Sequence, residues 1–209
     1  MIRIQDMVKI ECPFVREMVN GKYIITDKIA DGYKWVFTDE TVLAVEKMHG
    51  TNVSLVIENG AIKSVWNRTA IIPFFNRGKQ HIIQGVMEAF DRGYIDELLT
   101  EDGQYFGELI GERVNGNPYN IEGHVWLPFK TWMQDHLKYK CWGKYPKTYA
   151  SISQWFEKDL QPLYSWRTHG QKWDKPHFVE GIVFTHPDGR MAKLRRDMFP
   201  FYNKVFGNL

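Results

Sequence analysis

A lysine that could act as a nucleophile stands in residues 45–55, VEKMHGTNVSL. Lys47 ends an apolar, strand-like run; His49, Gly50, Thr51 and Asn52 follow before a second apolar run begins. An ammonium among apolar neighbours is costly to bury, so the position asks for a partner or a purpose. A lysine titrates at about 10.4 and is almost wholly protonated at neutral pH. Nearby cations and desolvation lower that value and free the amine for attack. Lys193 and Arg195 can supply the cations if the last hairpin faces the first, and the same charges suit a phosphate. Glu180 or Glu108 can offer oxygen to a magnesium ion, which would further neutralise a polyphosphate. The set fits a lysine attacking phosphorus, with positive groups stabilising charge on the phosphoryl oxygens. Neither GxxxxGKS/T nor GxGxxG occurs, so a nucleotide would not be held by a phosphate loop or a dinucleotide fingerprint. Each residue alone has a plainer reading. A strand-end lysine usually points to water, Gly50 can serve a tight turn, and His49 can bond its own loop.

Positioning these groups requires segments far apart in sequence to meet. Residues 33–38 (YKWVFT) and 41–48 (TVLAVEKM) are aromatic and β-branched, which predicts strands. NVSLVIENGAIKSVWN predicts a hairpin around Asn59-Gly60, the pair favoured in a type I′ turn, with Arg68 at its end. From Gln80 to Leu99 apolar residues recur at helical spacing, with Gly85 and Gly93 as weak points. QYFGELIGERV returns to strand character and carries Glu108. PFKTWMQDHLKYK and SISQWFEKDLQPLYSW read as helices, the second opening with a capping box of Ser151 and Gln154. HFVEGIVF and RMAKLRRD flank the turn-rich THPDG, a hairpin expected to bring Glu180 and Lys193 onto adjacent strands. This order predicts an α+β fold with antiparallel sheets flanked by helices, not a doubly wound parallel sheet.

The 209 residues, without internal repeat or Gly/Ser linker, fit a single domain spanning 1–209. A net charge of +2 neither demands nor excludes nucleic acid. The positive charge is clustered, however: Lys130, Lys138, Lys140, Lys144 and Lys147 face only Asp135, and Arg190, Lys193, Arg195 and Arg196 precede Asp197. Two cysteines make no disulfide framework, which suits a reduced, intracellular, cytoplasmic protein. No leader-like or membrane-spanning run occurs, and the histidines show no zinc-like pairing.

The ordered set EKMHGTN, NRT, FGELIG, VEGIVF and AKLR resembles the covalent nucleotidyltransferases, the superfamily of ATP-dependent ligases and mRNA capping enzymes. EKMHGTN is most similar to the RNA ligase 2 family, which has KxHG where DNA ligases and capping enzymes usually have KxDG. The resemblance runs from about Glu46 to Arg195 and is most specific at EKMHGTN and VEGIVF. It implies an adenylation domain that uses ATP as AMP donor with Mg2+ or Mn2+. Lys47 would form a lysyl-AMP, the AMP would pass to an RNA 5′-phosphate, and an RNA 3′-hydroxyl would displace it. By the same resemblance, Glu46 would touch adenine, and His49 and Asn52 would lie near the phosphates and metal. Arg68 would bind the ribose or the nucleic-acid 5′ end, and Glu108 a ribose hydroxyl. Glu180 would serve the metal, and Lys193 the α-phosphate. An aromatic ring would cover the base, with Trp126, Phe129 and Trp132 as candidates and Phe129 favoured.

Two departures from the family pattern stand out. Arg195 replaces the second lysine of the usual KxK, keeping the charge but not the geometry. Only MFPFYNKVFGNL follows AKLRRD, so the resemblance implies a chain without the appended OB or helical domain of its relatives. It would be a minimal ligase, or a domain that depends on a partner for the missing module. The expected partners are RNA ends, in a nicked duplex or single strands, and a phage or viral origin would suit such a protein. Competing expectations are a minimal DNA ligase and a non-catalytic nucleic-acid-binding module that kept the fold.

Overall fold

The computed structural model describes residues 2–172, 174 and 177–202. The segment expected to end the chain, MFPFYNKVFGNL, therefore lies outside the described residues from Asn203 onward. In chain order the strands are β1 (Phe14–Val19), β2 (Lys22–Ile29), β3 (Leu43–Lys47), β4 (Thr51–Glu58), β5 (Ala61–Asn67), β6 (Ala70–Ile72), β7 (Gly103–Gly111), β8 (His124–Pro128), β9 (Gly181–Thr185) and β10 (Met191–Arg195). The α-helices are α1 (Trp35–Thr38), α2 (Gln80–Asp91), α3 (Gln134–His136), α4 (Tyr149–Gln154) and α5 (Leu163–His169). Every pair of named strands is antiparallel, so the architecture is α+β with antiparallel sheets, as the sequence predicts. The chain forms two compact units, one of residues 9–47 and 137–202, the other of residues 2–8 and 48–136. Among the described residues no helix is long and apolar enough to cross a membrane.

The unit of residues 9–47 and 137–202 holds a three-stranded sheet in the order β10-β9-β3 and the β1-β2 hairpin. Strand alternation sends Ala44, Glu46, Ile182, Phe184, Ala192 and Leu194 to one face, where all are buried. Phe156 and Phe199 join that core with ring centroids 4.7 Å apart. Each fully buried ring or aliphatic side chain of this kind contributes about 1.5–3 kcal/mol. The other face carries Val45 and Lys47 from β3 and Lys193 and Arg195 from β10. The register sets Lys193 against Val183 and Val183 against Val45; Arg195 opposes Gly181, which opposes Lys47.

Several local expectations are corrected in this unit. Residues 33–38 were expected as a strand, but α1 forms there; burying Trp35 and Val36 outweighs their β propensity. The helix expected through residue 140 gives way to an extended segment. Glu46 N donates to Leu137 O (2.9 Å) and Tyr139 N to Ala44 O (2.8 Å), which satisfies the free edge of β3. Residues 151–166 are not one helix. A π-helical turn (Trp155–Asp159) follows α4, the chain breaks before Pro162, whose nitrogen has no hydrogen to donate, and α5 starts after it. The cap of α4 is Thr148, whose Oγ1 accepts from Ser151 N, three residues ahead of the expected Ser151.

The unit of residues 2–8 and 48–136 is a five-stranded sheet, β6-β5-β4-β7-β8, with α2 packed on β8. Asn59 (φ 54°) and Gly60 (φ 71°) make the predicted tight turn between β4 and β5. The helix expected to run from Gln80 to Leu99 stops at Asp91; Gly93 takes φ 72° and a 3-10 turn spans Asp96–Thr100.

Candidate active site

Lys47 is the last residue of β3, and its Nζ donates to Glu180 Oε2 at 2.7 Å. The two side chains are 20% and 12% exposed, so most of this ion pair is out of water. Glu180 lies one residue before β9 rather than in it, beside Gly181, the residue that faces Lys47 across the sheet. The expectation of Glu180 and Lys193 on adjacent strands is corrected accordingly: Lys193 faces Val183. A Cβ at Gly181 would overlap the Leu194 carbonyl oxygen and lie 2.8 Å from Arg195 Cα, so only glycine brings β9 this close to β10. Burial pulls the Lys193 amine below its ordinary pKa, and the charges of Lys47 and Arg195 add to that. The Nε of Arg195 stands 3.1 Å from Asp197 Oδ1. Lys47, Glu180, Lys193 and Arg195 are thus brought together in one unit.

Glu46, the neighbour of Lys47, points the opposite way into the core and has no exposed surface. Its Oε2 accepts from Tyr164 N (2.8 Å) in the first turn of α5, and its Oε1 is buried without a hydrogen-bond partner among the described residues. Burial pushes this carboxyl up from 4.5 to about 8, against the opposing effect of the Tyr164 and Leu163 amides. An unfolded chain would ionise near 4.5 while the folded chain keeps the proton until about pH 8. Stability contributed here therefore falls as pH rises across that window. Glu46→Gln is expected to flatten the decline in melting temperature between about pH 5 and pH 8; parallel wild-type and variant curves would contradict it.

In the other unit, the residues after Lys47 form a turn held by its backbone. His49 N donates to Tyr119 Oη (2.6 Å), Gly50 N to Glu108 Oε1 (3.1 Å), and Asn115 Nδ2 to Gly50 O (2.7 Å). A methyl group at Gly50 would overlap the Leu109 carbonyl oxygen and lie 2.6 Å from Glu108 Cγ. Gly50→Ala is expected to cost about 1–3 kcal/mol of stability, read as a lower denaturation midpoint; an unshifted midpoint would show that the turn yields freely.

Asn52 faces Glu108 directly across β4 and β7. Its Nδ2 donates to Met7 Sδ (3.1 Å), and its buried Oδ1 has no hydrogen-bond partner among the described residues. Arg68, at φ 52° between β5 and β6, gives its Nη1 to Asp6 Oδ2 at 2.6 Å. Of the three candidate rings, Trp126 is fully buried and donates to Val53 O, and Trp132 is buried and stacked on His136. Phe129 begins the π-helical turn after Pro128 and is half-buried. Sequence reasoning missed Tyr119, Asn115, Asp6 and Tyr164. The turn-rich run NGNPYN marks a loop, yet nothing in it announces which hydroxyl reaches back to His49.

A family model described as RNA ligase matches residues 40–199, most of the chain, and the chain belongs to the RNA ligase family. Comparison with curated proteins gives no match. Among solved structures, the chain is similar to a Naegleria gruberi RNA ligase. An apo mutant form of that ligase is 15% identical over 74% of this chain and 49% of that chain, with a TM-score of 0.44. A form with PPi is 14% identical over 83% of this chain and 54% of that chain (TM-score 0.44). A mutant with ATP and Mn is 11% identical over 95% of this chain and 62% of that chain (TM-score 0.48). The present chain thus spans 49 to 62% of the length of those three chains.

Proposed function

We propose that this protein is an ATP-dependent RNA ligase that seals a 3′-hydroxyl to a 5′-phosphate through a lysyl-AMP. The observation that carries the reading is the half-buried Lys47–Glu180 pair at 2.7 Å, with Lys193 and Arg195 on the same sheet face, in a chain of the RNA ligase family.

In the first step Lys47 Nζ loses a proton and attacks the α-phosphorus; an N–P bond forms and the bond to pyrophosphate breaks. Lys47 Nζ is committed to its hydrogen bond with Glu180 Oε2, so the pair must part before the amine can reach phosphorus. Glu180 is itself a base within hydrogen-bond reach of that proton. No cluster of three His, Cys, Asp or Glu side chains among the described residues could hold a metal ion. A lone carboxylate fits Mg2+ or Mn2+, which keeps water and phosphate oxygens as its other ligands. Glu180 would hold such an ion, which would supply neutralisation of phosphate charge. Lys193 meets the α-phosphate, with Arg195 beside it, and their charge stabilises the developing oxyanion.

The remaining roles follow the family resemblance. Phe129 covers the base, Glu108 takes a ribose hydroxyl, and His49 and Asn52 lie toward the phosphates; the expected adenine contact of Glu46 does not fit a side chain that is fully buried on the core face. Asn52 Oδ1, without a hydrogen-bond partner among the described residues, offers an acceptor. Arg68 serves the ribose or the RNA 5′ end once Asp6 releases it. The AMP then passes to the RNA 5′-phosphate, freeing Lys47. Finally the 3′-hydroxyl attacks that phosphorus, forms the phosphodiester and expels AMP. The free cysteines Cys12 and Cys141 suit a reducing cytoplasm. Intact mass after incubation with ATP and Mg2+ or Mn2+ should show one added AMP; an unmodified chain that still binds RNA tightly would sink the reading.

A further inference from the structure

We propose that residues 138–145 form a docking surface for single-stranded RNA leading to Lys47; this rests on the ligase reading above. The segment reads KYKCWGKY and divides its residues sharply. Tyr139 is buried, and Trp142 packs on Phe184 with ring centroids 4.8 Å apart. Lys138, Lys140 and Lys144 are exposed and make no ion pair among the described residues, and Tyr145 is 73% exposed. Lys147, the last lysine of the run, is set apart: its ammonium lies 5.0 Å from the Trp142 ring centre and donates to Asp39 O at 3.2 Å. Three lysines and one ring are therefore left in water by a segment whose other aromatics are committed to the core.

The register ties this surface to the site. Lys138 bridges Val45, Val45 pairs with Val183, and Val183 with Lys193. Residues directly opposite one another share a face, so Lys138 lies on the face of Lys193 and of Lys47, which is two residues beyond Val45. Three strand spacings of about 4.8 Å put Lys138 about 14 Å from Lys193 along the row. That separation exceeds the reach of one phosphate group and suits a chain of phosphates. Glu46, the acid of the neighbouring strand, is on the opposite face. Unpaired lysines displace counterions from a phosphate backbone, and an exposed ring beside them can stack an unpaired base.

The test is binding of a 5′-phosphorylated single-stranded RNA, by fluorescence anisotropy, across about 50 to 200 mM salt. The triple variant Lys138→Ala, Lys140→Ala, Lys144→Ala should lower the slope of log affinity against log salt by about 2, at roughly 0.7 per lost contact. Tyr145→Ala should weaken binding about five- to hundredfold with the slope unchanged. A control with Lys28→Ala and Lys63→Ala, exposed lysines elsewhere, should keep the wild-type slope. A wild-type slope in the triple variant overturns the proposal, as does loss confined to duplex RNA with Tyr145→Ala silent. Wild-type AMP labelling with ATP alone separates the two readings. Labelling without a slope change removes only the docking surface; a slope change without labelling removes only the ligase reading.

Discussion

Lys47→Ala is expected to abolish the covalent AMP adduct, with sealing falling by at least about three orders of magnitude, because no other group would replace the attacking amine. The substitution also removes the Lys47 ion pair from Glu180, which is 12% exposed and 2.7 Å from Lys47 Nζ. Losing a partly buried charged hydrogen bond costs about 1–3 kcal/mol, so activity is read together with the melting temperature. Lys47→Arg separates the two effects. It keeps the positive charge beside Glu180, but a guanidinium stays protonated and does not attack phosphorus. A variant that melts near wild type yet takes up no AMP identifies Lys47 as the nucleophile. An adduct on Lys47→Arg would overturn the assignment, and peptide mapping would then locate the true acceptor.

Glu180→Ala should slow adduct formation roughly 100- to 1000-fold, the scale seen when one electrostatic contact to a reacting phosphate or oxyanion is removed. Glu180→Gln is more informative, because the carboxylate has two opposed effects. Hydrogen-bonded to Lys47 Nζ, it holds that nitrogen away from an incoming phosphorus. Serving a cation, it assists the phosphate chemistry. Glutamine removes the negative charge at nearly constant shape. If the second effect dominates, as the ligase reading requires, Glu180→Gln is as slow as Glu180→Ala and raising Mn2+ does not rescue it. A faster Glu180→Gln enzyme would mean that the carboxylate is only a restraint on Lys47.

Much of the scaffold was legible because the chemistry-bearing segments are short antiparallel strands with strict alternation. MAKLR puts an apolar residue on the core side at every second position, VLAVEK does so at Val42 and Ala44 before Glu46 takes the third place, and THPDG marks the turn before β10. The Asn59-Gly60 turn was readable from two residues that both tolerate positive φ. What could not be read depended on partners distant in sequence. Residues 137–139 extend only because β3 offers an unpaired edge, and α1 replaces a strand only because Trp35 and Val36 find the core. Pro162 was an available signal for the break before α5 and was outweighed by the periodicity around it. The links from Tyr119 to His49 and from Asp6 to Arg68 cross 70 and 62 residues, and no local pattern encodes them.

Glu46 and Lys47 sit side by side on β3 and face opposite directions. Sliding that strand by a single position would drive an ammonium into the ring-filled interior and eject a hydrogen-bonded carboxyl from it. The first move is heavily penalised, since an unpaired buried charge is among the costliest errors a fold can make, and the second forfeits the hydrogen bond from Tyr164 N. The same two residues that invite a catalytic reading thus also proofread the strand's alignment during folding.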